Sequence, residues 1–199
     1  MATRKALAVG ATAIAIGAGV AGCGGSSGSA SKDKAPNPNS AEVSPPGDIP
    51  DNQAYVAYEP PAGGYSVKVP EGWARTAAGG STTFTDKLNS VTMTAVPAKV
   101  PLTTAEARRT EVPKLKASVK GFQLGKVRTV MRSAGPAVRI TYLAAGKPDP
   151  VTGKSRPQAV ERYVFFHKGK DVVLTLSGAK GADNVDPWKI VTDSLTFTS

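Results

Sequence analysis

One histidine and one cysteine stand in 199 residues, and this arithmetic already narrows the chemistry open to the chain. A metal site draws several His, Cys or carboxylate ligands to one point. His167 has no second histidine and no cysteine to share such a site with. It follows Val164-Phe165-Phe166 and precedes Lys168-Gly169-Lys170, a strand end beside a turn, where packing is the simpler role. Asp183 and Asp186 are spaced to share a cation, yet Asp186 directly before Pro187 reads more simply as an acidic helix cap with proline at the first helical position. Glu161 has no obvious second carboxylate with which to divide acid and base work. Val151-Thr152-Gly153-Lys154-Ser155 has the form of the end of a phosphate loop. That loop needs a glycine five residues before Gly153, where Pro148 stands, and a helix after it, where Arg156 onward reads as a strand. No serine lies in a Gly-x-Ser-x-Gly elbow. The expectation is a protein with no catalytic residue, no metal and no cofactor.

Charge carries more information. The chain has 25 Lys and Arg against 15 Asp and Glu, a formal net +10. Residues 99–139 alone hold ten basic residues against Glu106 and Glu111. Arg109, Lys116 and Lys120 follow one ridge of a predicted helix at i, i+7 and i+11, and Lys126, Arg128 and Arg132 share a face of the strand after it. These six are the candidate anion-binding residues, expected to form a single positive face. The plain alternative is a solvated helix surface on a soluble protein.

The elements that must position these residues fall into three stretches. Residues 1–22 read as an export leader. Arg4 and Lys5 make a positive start, and residues 6–20 are uncharged. That run is too short to span a bilayer as a helix, which needs about 20 residues, but it suits the core of a signal peptide. Residues 24–54 read as a disordered spacer. They are Gly/Ser-rich first and Pro/Asn-rich later, with Val43 and Ile49 as the only large aliphatics, too few to offset the entropy of ordering. As a coil these 31 residues would span roughly 30 Å. Residues 55–199 are long enough for one domain with its own core. Period-two alternation dominates them: Tyr65, Val67 and Val69; Val91, Met93 and Ala95; Val138, Ile140 and Tyr142; Tyr163 and Phe165 opposite Val160 and Val164; and Val172, Leu174 and Leu176. Turn residues separate the runs, and residues 146–157 read as a long hairpin loop, so neighbouring strands should pair antiparallel. Two helices interrupt them. The first should run over residues 104–119, with Thr103 and Glu106 as a capping box, Ala105, Val112, Leu115 and Val119 on its apolar side, and a kink or break at Pro113. The second should run from Asp186 to about Ser194. The fold class is therefore α+β, an antiparallel sheet flanked by helices.

Two resemblances add to this. Val20-Ala21-Gly22-Cys23 resembles the lipobox of bacterial lipoproteins, which implies cleavage between Gly22 and Cys23, a diacylglyceryl group on the Cys23 thiol, and attachment to the outer face of the cell membrane. Two long acyl chains would hold by on the order of 20 kcal/mol, a permanent anchor. The stretch Gly64-Tyr65-Ser66-Val67-Lys68-Val69-Pro70-Glu71-Gly72-Trp73 resembles the opening strand and turn of PsbP-like domains. The ending, Asp183 through Trp188 and on to Ser194-Leu195-Thr196-Phe197, resembles theirs too. Lipoproteins of the actinobacterial LpqN/LpqT type combine a lipobox with such a domain. The resemblance implies an antiparallel sheet flanked by helices and supplies no catalytic residue.

The function expected is that of a non-catalytic binding or scaffolding lipoprotein of the cell envelope. Its expected partners are the membrane through Cys23 and an anionic lipid, wall polymer or acidic envelope protein. Export argues against nucleic acid. A carrier of a lipid or other apolar ligand is the alternative, and an envelope enzyme the second.

Overall fold

The computed structural model describes residues 46–61, 63–148 and 153–198, all within the unit Ala41–Ser199. Gly22, Cys23, the leader and the first part of the expected spacer lie outside the described residues.

Among the described residues, ten strands and two helices follow one another in the order β1 (Tyr55–Tyr58), β2 (Tyr65–Pro70), β3 (Ala74–Ala78), β4 (Ser81–Asp86), β5 (Asn89–Pro97), α1, β6 (Gln123–Arg132), β7 (Gly135–Pro148), β8 (Ser155–His167), β9 (Lys170–Ala179), α2 (Val185–Asp193) and β10 (Thr196–Phe197). Helix α1 comprises three consecutive helical pieces, Thr104–Glu106, Ala107–Glu111 and Val112–Ser118. The strands form a seven-stranded sheet in the order β3-β4-β5-β9-β8-β7-β6 and a three-stranded sheet β1-β2-β10, with every pairing antiparallel. The α+β class, an antiparallel sheet flanked by helices, is what the alternation and turn chemistry predict.

Each face of the large sheet has its own cover. On one face Phe84, Met93, Tyr163, Phe165, Leu174 and Leu176 pack against Tyr65, Val67 and Val69 of β2 and Trp188, Val191 and Leu195 at the C-terminal end. On the other face Val127, Val138, Ile140, Tyr142 and Val160 pack under α1. Residues two apart in a strand share a face, so the parity read from the sequence survives into both cores. Because α1 covers only the β6-β7-β8 half of its face, the β4-β5-β9 half carries hydroxyls instead: Thr83, Thr92, Ser90 and Ser177 are half-buried there.

Helix α1 differs from expectation in register. Thr103 caps it as predicted, its Oγ1 accepting from the Glu106 N–H at 3.1 Å. The middle piece is a π turn, closed by the Val112 N–H on the Ala107 carbonyl. Pro113 follows immediately; it has no N–H to donate, and its ring would crowd the carbonyl four residues back. A wider turn accommodates it, so the helix continues through a π bulge before Pro113 and does not break there. The extra residue moves the apolar stripe: Ala107 is fully buried and Ala105 is exposed. Val112, Leu115 and Val119 still pack inward.

The second helix begins earlier than Asp186. Asn184 is the N-cap, its carbonyl accepting from the Trp188 N–H at 3.0 Å, and Asp186 lies exposed in the first turn. The Asn184 side chain does other work. It is buried, and its Oδ1 accepts from the Ile49 N–H at 2.8 Å while its Nδ2 donates to the Gly47 carbonyl at 3.0 Å and to Asn89 Oδ1 at 3.1 Å. Two glycines make room. A methyl on Gly178 would stand 2.6 Å from both Asn184 Nδ2 and Asn89 Oδ1, and one on Gly47, whose φ is +106°, would meet the Ala179 Cβ at 2.6 Å. Ile49 is buried in the main core. Residues 46–54, which composition assigned to the spacer, are therefore part of the folded unit; one buried isoleucine and one bridging asparagine hold a segment whose average composition is that of a linker.

Candidate functional site

A cleft of about 510 Å³ opens on the uncovered half of the α1 face, at the end of the sheet where β4 turns into β5 and the β7-β8 hairpin extends. Its floor is built from strand residues that share one face of the sheet: Thr83 and Thr85 of β4, Ser90 of β5 and Ser177 of β9. Cross-strand register sets Ser90 opposite Ser177, and their hydroxyls bond at 2.7 Å; Thr83 and Thr92 bond in the same way at 3.0 Å. Lys87, in the β4-β5 turn, and Lys147, Lys154 and Arg156, on the two arms of the β7-β8 hairpin, border the cleft. All four are exposed. No residue lining the cleft among the described residues is acidic or aromatic. Asp86 pairs with Lys87 at 3.9 Å from outside that lining, and Asp149 lies outside the described residues.

The six cations chosen from the sequence are placed differently. Arg109, Lys116 and Lys120 are exposed on α1 and the turn after it, and Arg109 pairs with Glu106 one turn back. Arg128 is also exposed, but it stands opposite Arg139 and so on the other face of the sheet, away from α1. Lys126 is exposed at a bulge in β6, its N–H donating to Thr141 Oγ1 at 2.8 Å. Arg132 turns inward. Its Nε donates to Thr192 Oγ1 at 2.9 Å, its guanidinium donates to the Tyr163 hydroxyl at 3.0 Å and lies over that ring at 5.2 Å, and it pairs with Asp193 at 3.7 Å. The expected single positive face is thus divided, because Arg128 and Arg132 of β6 lie on the side of the sheet opposite α1.

Arg132 belongs to a polar network between α2 and the sheet. Tyr163 donates to Glu161, which pairs with Arg139 at 3.2 Å. Burial and the Glu161 carboxylate push the Tyr163 hydroxyl above the usual tyrosine range. The hydrogen bond from Lys189, assisted by the charges of Lys189 and Arg132, holds Asp193 below the usual carboxylate range. The Glu161 carboxylate has an arginine and a phenol as its partners. On the α1 face, Arg162 pairs with Glu111 at 3.5 Å and donates to Thr175 Oγ1 at 3.2 Å, closing the border between the apolar half and the hydroxyl half. Burial, with the Glu111 charge, raises the Asp171 pKa beside it.

His167 ends β8 with its ring stacked on Phe197 at 4.1 Å between centroids, a packing role. Asp183 donates its backbone N–H to Asp48 at 3.0 Å, and no group of three or more His, Cys, Asp or Glu gathers for a metal among the described residues. Gly153-Lys154-Ser155 leads into β8 and no helix follows, which removes the phosphate-loop geometry. The residues sequence reasoning missed are those of the cleft. The signal available was the alternating hydroxyls within each strand, Thr83 and Thr85 of β4 and Ser90 and Thr92 of β5, which mark a polar strand face. Nothing local says that Lys87 and the hairpin cations meet over it.

No protein-family model matches the sequence, and no curated protein matches it either. Solved structures do match. Cyanobacterial PsbP (CyanoP) from Synechocystis sp. PCC 6803 superimposes with a TM-score of 0.51 at 16% identity, over 73% of this chain and 94% of that one. LpqN of Mycobacterium tuberculosis, a protein involved in cell envelope biogenesis, gives 0.42 at 16% identity over 75% and 93%. The Ran-binding protein Mog1p of Saccharomyces cerevisiae gives 0.47 at 11% identity over 72% and 95%. The superposition on CyanoP makes this a PsbP-like fold.

Proposed function

We propose that the chain is an envelope lipoprotein, held by lipid on Cys23 to the outer face of the cell membrane, whose PsbP-like domain is a non-catalytic binding module for an anionic envelope component. The observation that carries the binding half is the cleft: four cations over a floor of hydroxyls, with no carboxylate among its described lining. Hydrogen bonds from Lys and Arg to an anion are roughly twice as strong as neutral ones, and a concave site screens them less than a flat surface does. The lipid-anchor half rests on the positive start, the apolar run, Val20-Ala21-Gly22 and the sole cysteine. No helix among the described residues is long and apolar enough to cross a membrane. A tether at Cys23 would keep the domain near anionic headgroups and wall polymers at high local concentration, so a weak site would still be filled.

Two measurements test this. Labelled palmitate fed to the native host should enter the wild-type protein and not Cys23→Ala; a wild type that takes up none ends the anchor. The mature chain carrying Cys23→Ser should bind vesicles containing phosphatidylglycerol, or purified cell wall, at low salt and release them as salt rises. Binding no better than to neutral vesicles would end the anion-binding reading. The second reading, a carrier of an apolar ligand, draws on a shallow cleft of about 310 Å³ bordered by Leu124, Leu143 and Trp188. Native mass spectrometry of the purified protein would reveal such a ligand.

A further inference from the structure

We propose that the free edge of β6, from Val127 to Arg132, takes up an extended, acidic segment of a partner protein as a further strand of the large sheet. This goes beyond the anion-binding reading above, which rests on the cleft at the other end of β7, and it stands on different residues.

The backbone is the first reason. Strand β6 ends the order β3-β4-β5-β9-β8-β7-β6, so one side of it has no strand against it among the described residues. A bulge interrupts its pairing between Leu124 and Val127, but from Val127–Ile140 to Arg132–Gly135 the register with β7 is regular. Arg132 and Gly135 flank a two-residue turn. In such a hairpin the flanking pair exchanges both backbone bonds, and bonded and non-bonded pairs then alternate along the ladder. Val130 and Arg128 therefore bond to β7 as well, while Met131, Thr129 and Val127 turn their N–H and C=O groups outward. Pro136, opposite Met131, fits a non-bonded place because it has no N–H to give. Two of the outward carbonyls are engaged by guanidinium groups. Arg108 of α1 donates to the Val127 carbonyl at 3.2 Å, and Arg132 folds back onto the Met131 carbonyl at 3.2 Å. What is left is an edge rich in N–H donors, with the Thr129 carbonyl as its acceptor. A strand centred on Thr129 would exchange both bonds with it and give carbonyls to the Val127 and Met131 N–H groups, each about 6.8 Å along the strand.

Charge selects the occupant. Lys126 and Arg128 stand exposed beside this edge, and Arg108 reaches it from α1. The carboxylates of the neighbouring elements have other partners. Glu106 pairs with Arg109, Glu111 with Lys114 and Arg162, Glu161 with Arg139, and Asp193 with Lys189 and Arg132. Arg108, Lys126 and Arg128 thus face the open edge with no carboxylate paired to them among the described residues. A second copy of the chain would bring the same cations against themselves, and like charges on paired strands repel. The chain's own N-terminal stretch is no better matched, since residues 1–45 carry Arg4, Lys5, Lys32 and Lys34 against Asp33 and Glu42. Edge cations of this kind prevent self-pairing, and for the same reason they favour a strand of opposite charge. Met131 is 68% exposed on the α1 side of the edge, as its parity with the buried Val127 requires. Its flexible thioether side chain offers an apolar contact to one face of the incoming strand while the cations meet acidic side chains on the other.

The test uses the mature chain with Cys23→Ser and a short synthetic peptide alternating glutamate with valine, titrated calorimetrically at low salt. Two control peptides are run beside it: one methylated on every backbone nitrogen, which cannot pair as a strand, and one with lysine for glutamate. The acidic peptide should bind about tenfold or more tightly than either control. Arg108→Gln combined with Arg128→Gln should weaken it by about tenfold and flatten its salt dependence. Thr129→Pro removes the central outward N–H at an edge position where proline is tolerated, and should abolish binding. Thr129→Val keeps that N–H and should bind like wild type, as should Lys147→Gln in the cleft. Amide signals of Val127, Thr129 and Met131 should shift when the peptide is added to the unmutated domain, a readout that does not depend on the proline variant folding. An N-methylated peptide that binds as well as the acidic one would show attraction by charge alone and overturn the strand. Equal binding of the lysine peptide overturns the acidic partner. Dimers in sedimentation that vanish with Thr129→Pro would assign the edge to a second copy instead. Phosphatidylglycerol vesicles retained by wild type and lost with the Arg108 and Arg128 changes, with no peptide bound, would assign it to lipid.

Discussion

Arg109, Lys116 and Lys120 stand exposed on α1 and its following turn, Arg128 lies on the opposite face of the sheet, and Arg132 is folded back against α2. Lys87, Lys147, Lys154 and Arg156, drawn from three segments, border one cleft. The first group is dense along the chain and scattered in space; the second is sparse along the chain and gathered. Electrostatic potential depends on distances in space, screened over about 8 Å in physiological salt. A helix followed by an edge strand places its charges on two sides of a sheet, whereas two turns at the same end of one sheet bring theirs together across β9. Of the first group, Arg109, Lys116, Lys120, Lys126 and Arg128 are solvent-exposed and Arg132 is structural, whereas the second group borders the candidate site.

The largest expected effect breaks the floor on which the second group rests. Asn184 joins Ile49, Gly47 and Asn89 through three hydrogen bonds in a buried setting, and Asn89 borders the cleft. Asn184→Ala should cost about 3 kcal/mol in urea unfolding, since it strands buried partners. Deleting residues 46–53 should cost a similar amount, and the two changes together should be less than additive, because both remove the same contacts. An unchanged urea midpoint in either variant would return these residues to the spacer.

A smaller effect separates the members of the first group from one another. Arg132→Gln should destabilise by about 2 kcal/mol, because Asp193, Thr192 and Tyr163 lose their partner. Lys116→Gln and Lys120→Gln, at exposed positions, should each stay within about 0.5 kcal/mol. Equal effects at all three sites would mean that Arg132 is as solvated as the others.

Acidification gives the next measurement. Asp193 has a lowered folded pKa, so its contribution is fully present above the unfolded carboxylate value of about 3.9 and is lost as pH falls through the folded value. Asp193→Asn should therefore flatten the loss of stability in acid, as followed by urea midpoints below about pH 4.

The smallest effect has the opposite sign. Burial and Glu111 raise the Asp171 pKa, so the folded state holds that proton more tightly and the ionised form weakens the fold as pH rises through the folded value. Asp171→Asn should raise the thermal midpoint slightly at pH 7, with no gain below about pH 4, where wild type is protonated in both states. A variant that melts earlier at pH 7 would show that Asp171 has an attractive partner.

The strands were readable because parity is local: Tyr65, Val67 and Val69 announce a buried face regardless of what covers it. The capping role of Thr103 was readable for the same reason, and so was the absence of a phosphate loop at Gly153. Three features were not. The π turn before Pro113 depends on how α1 seats Ala107 against the sheet, so helical spacing alone selected Ala105. The docking of residues 46–54 depends on Asn184, 135 residues away from Ile49, and no window of composition sees that distance. Asp186 looked like the cap because it precedes Pro187, whereas the cap is Asn184, whose side chain is committed to Gly47, Ile49 and Asn89.

By itself the sequence determined the α+β class, the antiparallel pairing and the apolar face of each main strand, since these follow from period-two alternation and turn chemistry within a few residues. Tertiary structure alone decided which half of the α1 face stays open and which cations meet there. The strand order β3-β4-β5-β9-β8-β7-β6 sets Ser90 against Ser177, 87 residues on, and brings the β4-β5 turn beside the β7-β8 hairpin. That juxtaposition arises from pairing between distant strands, and no local pattern of residues encodes it.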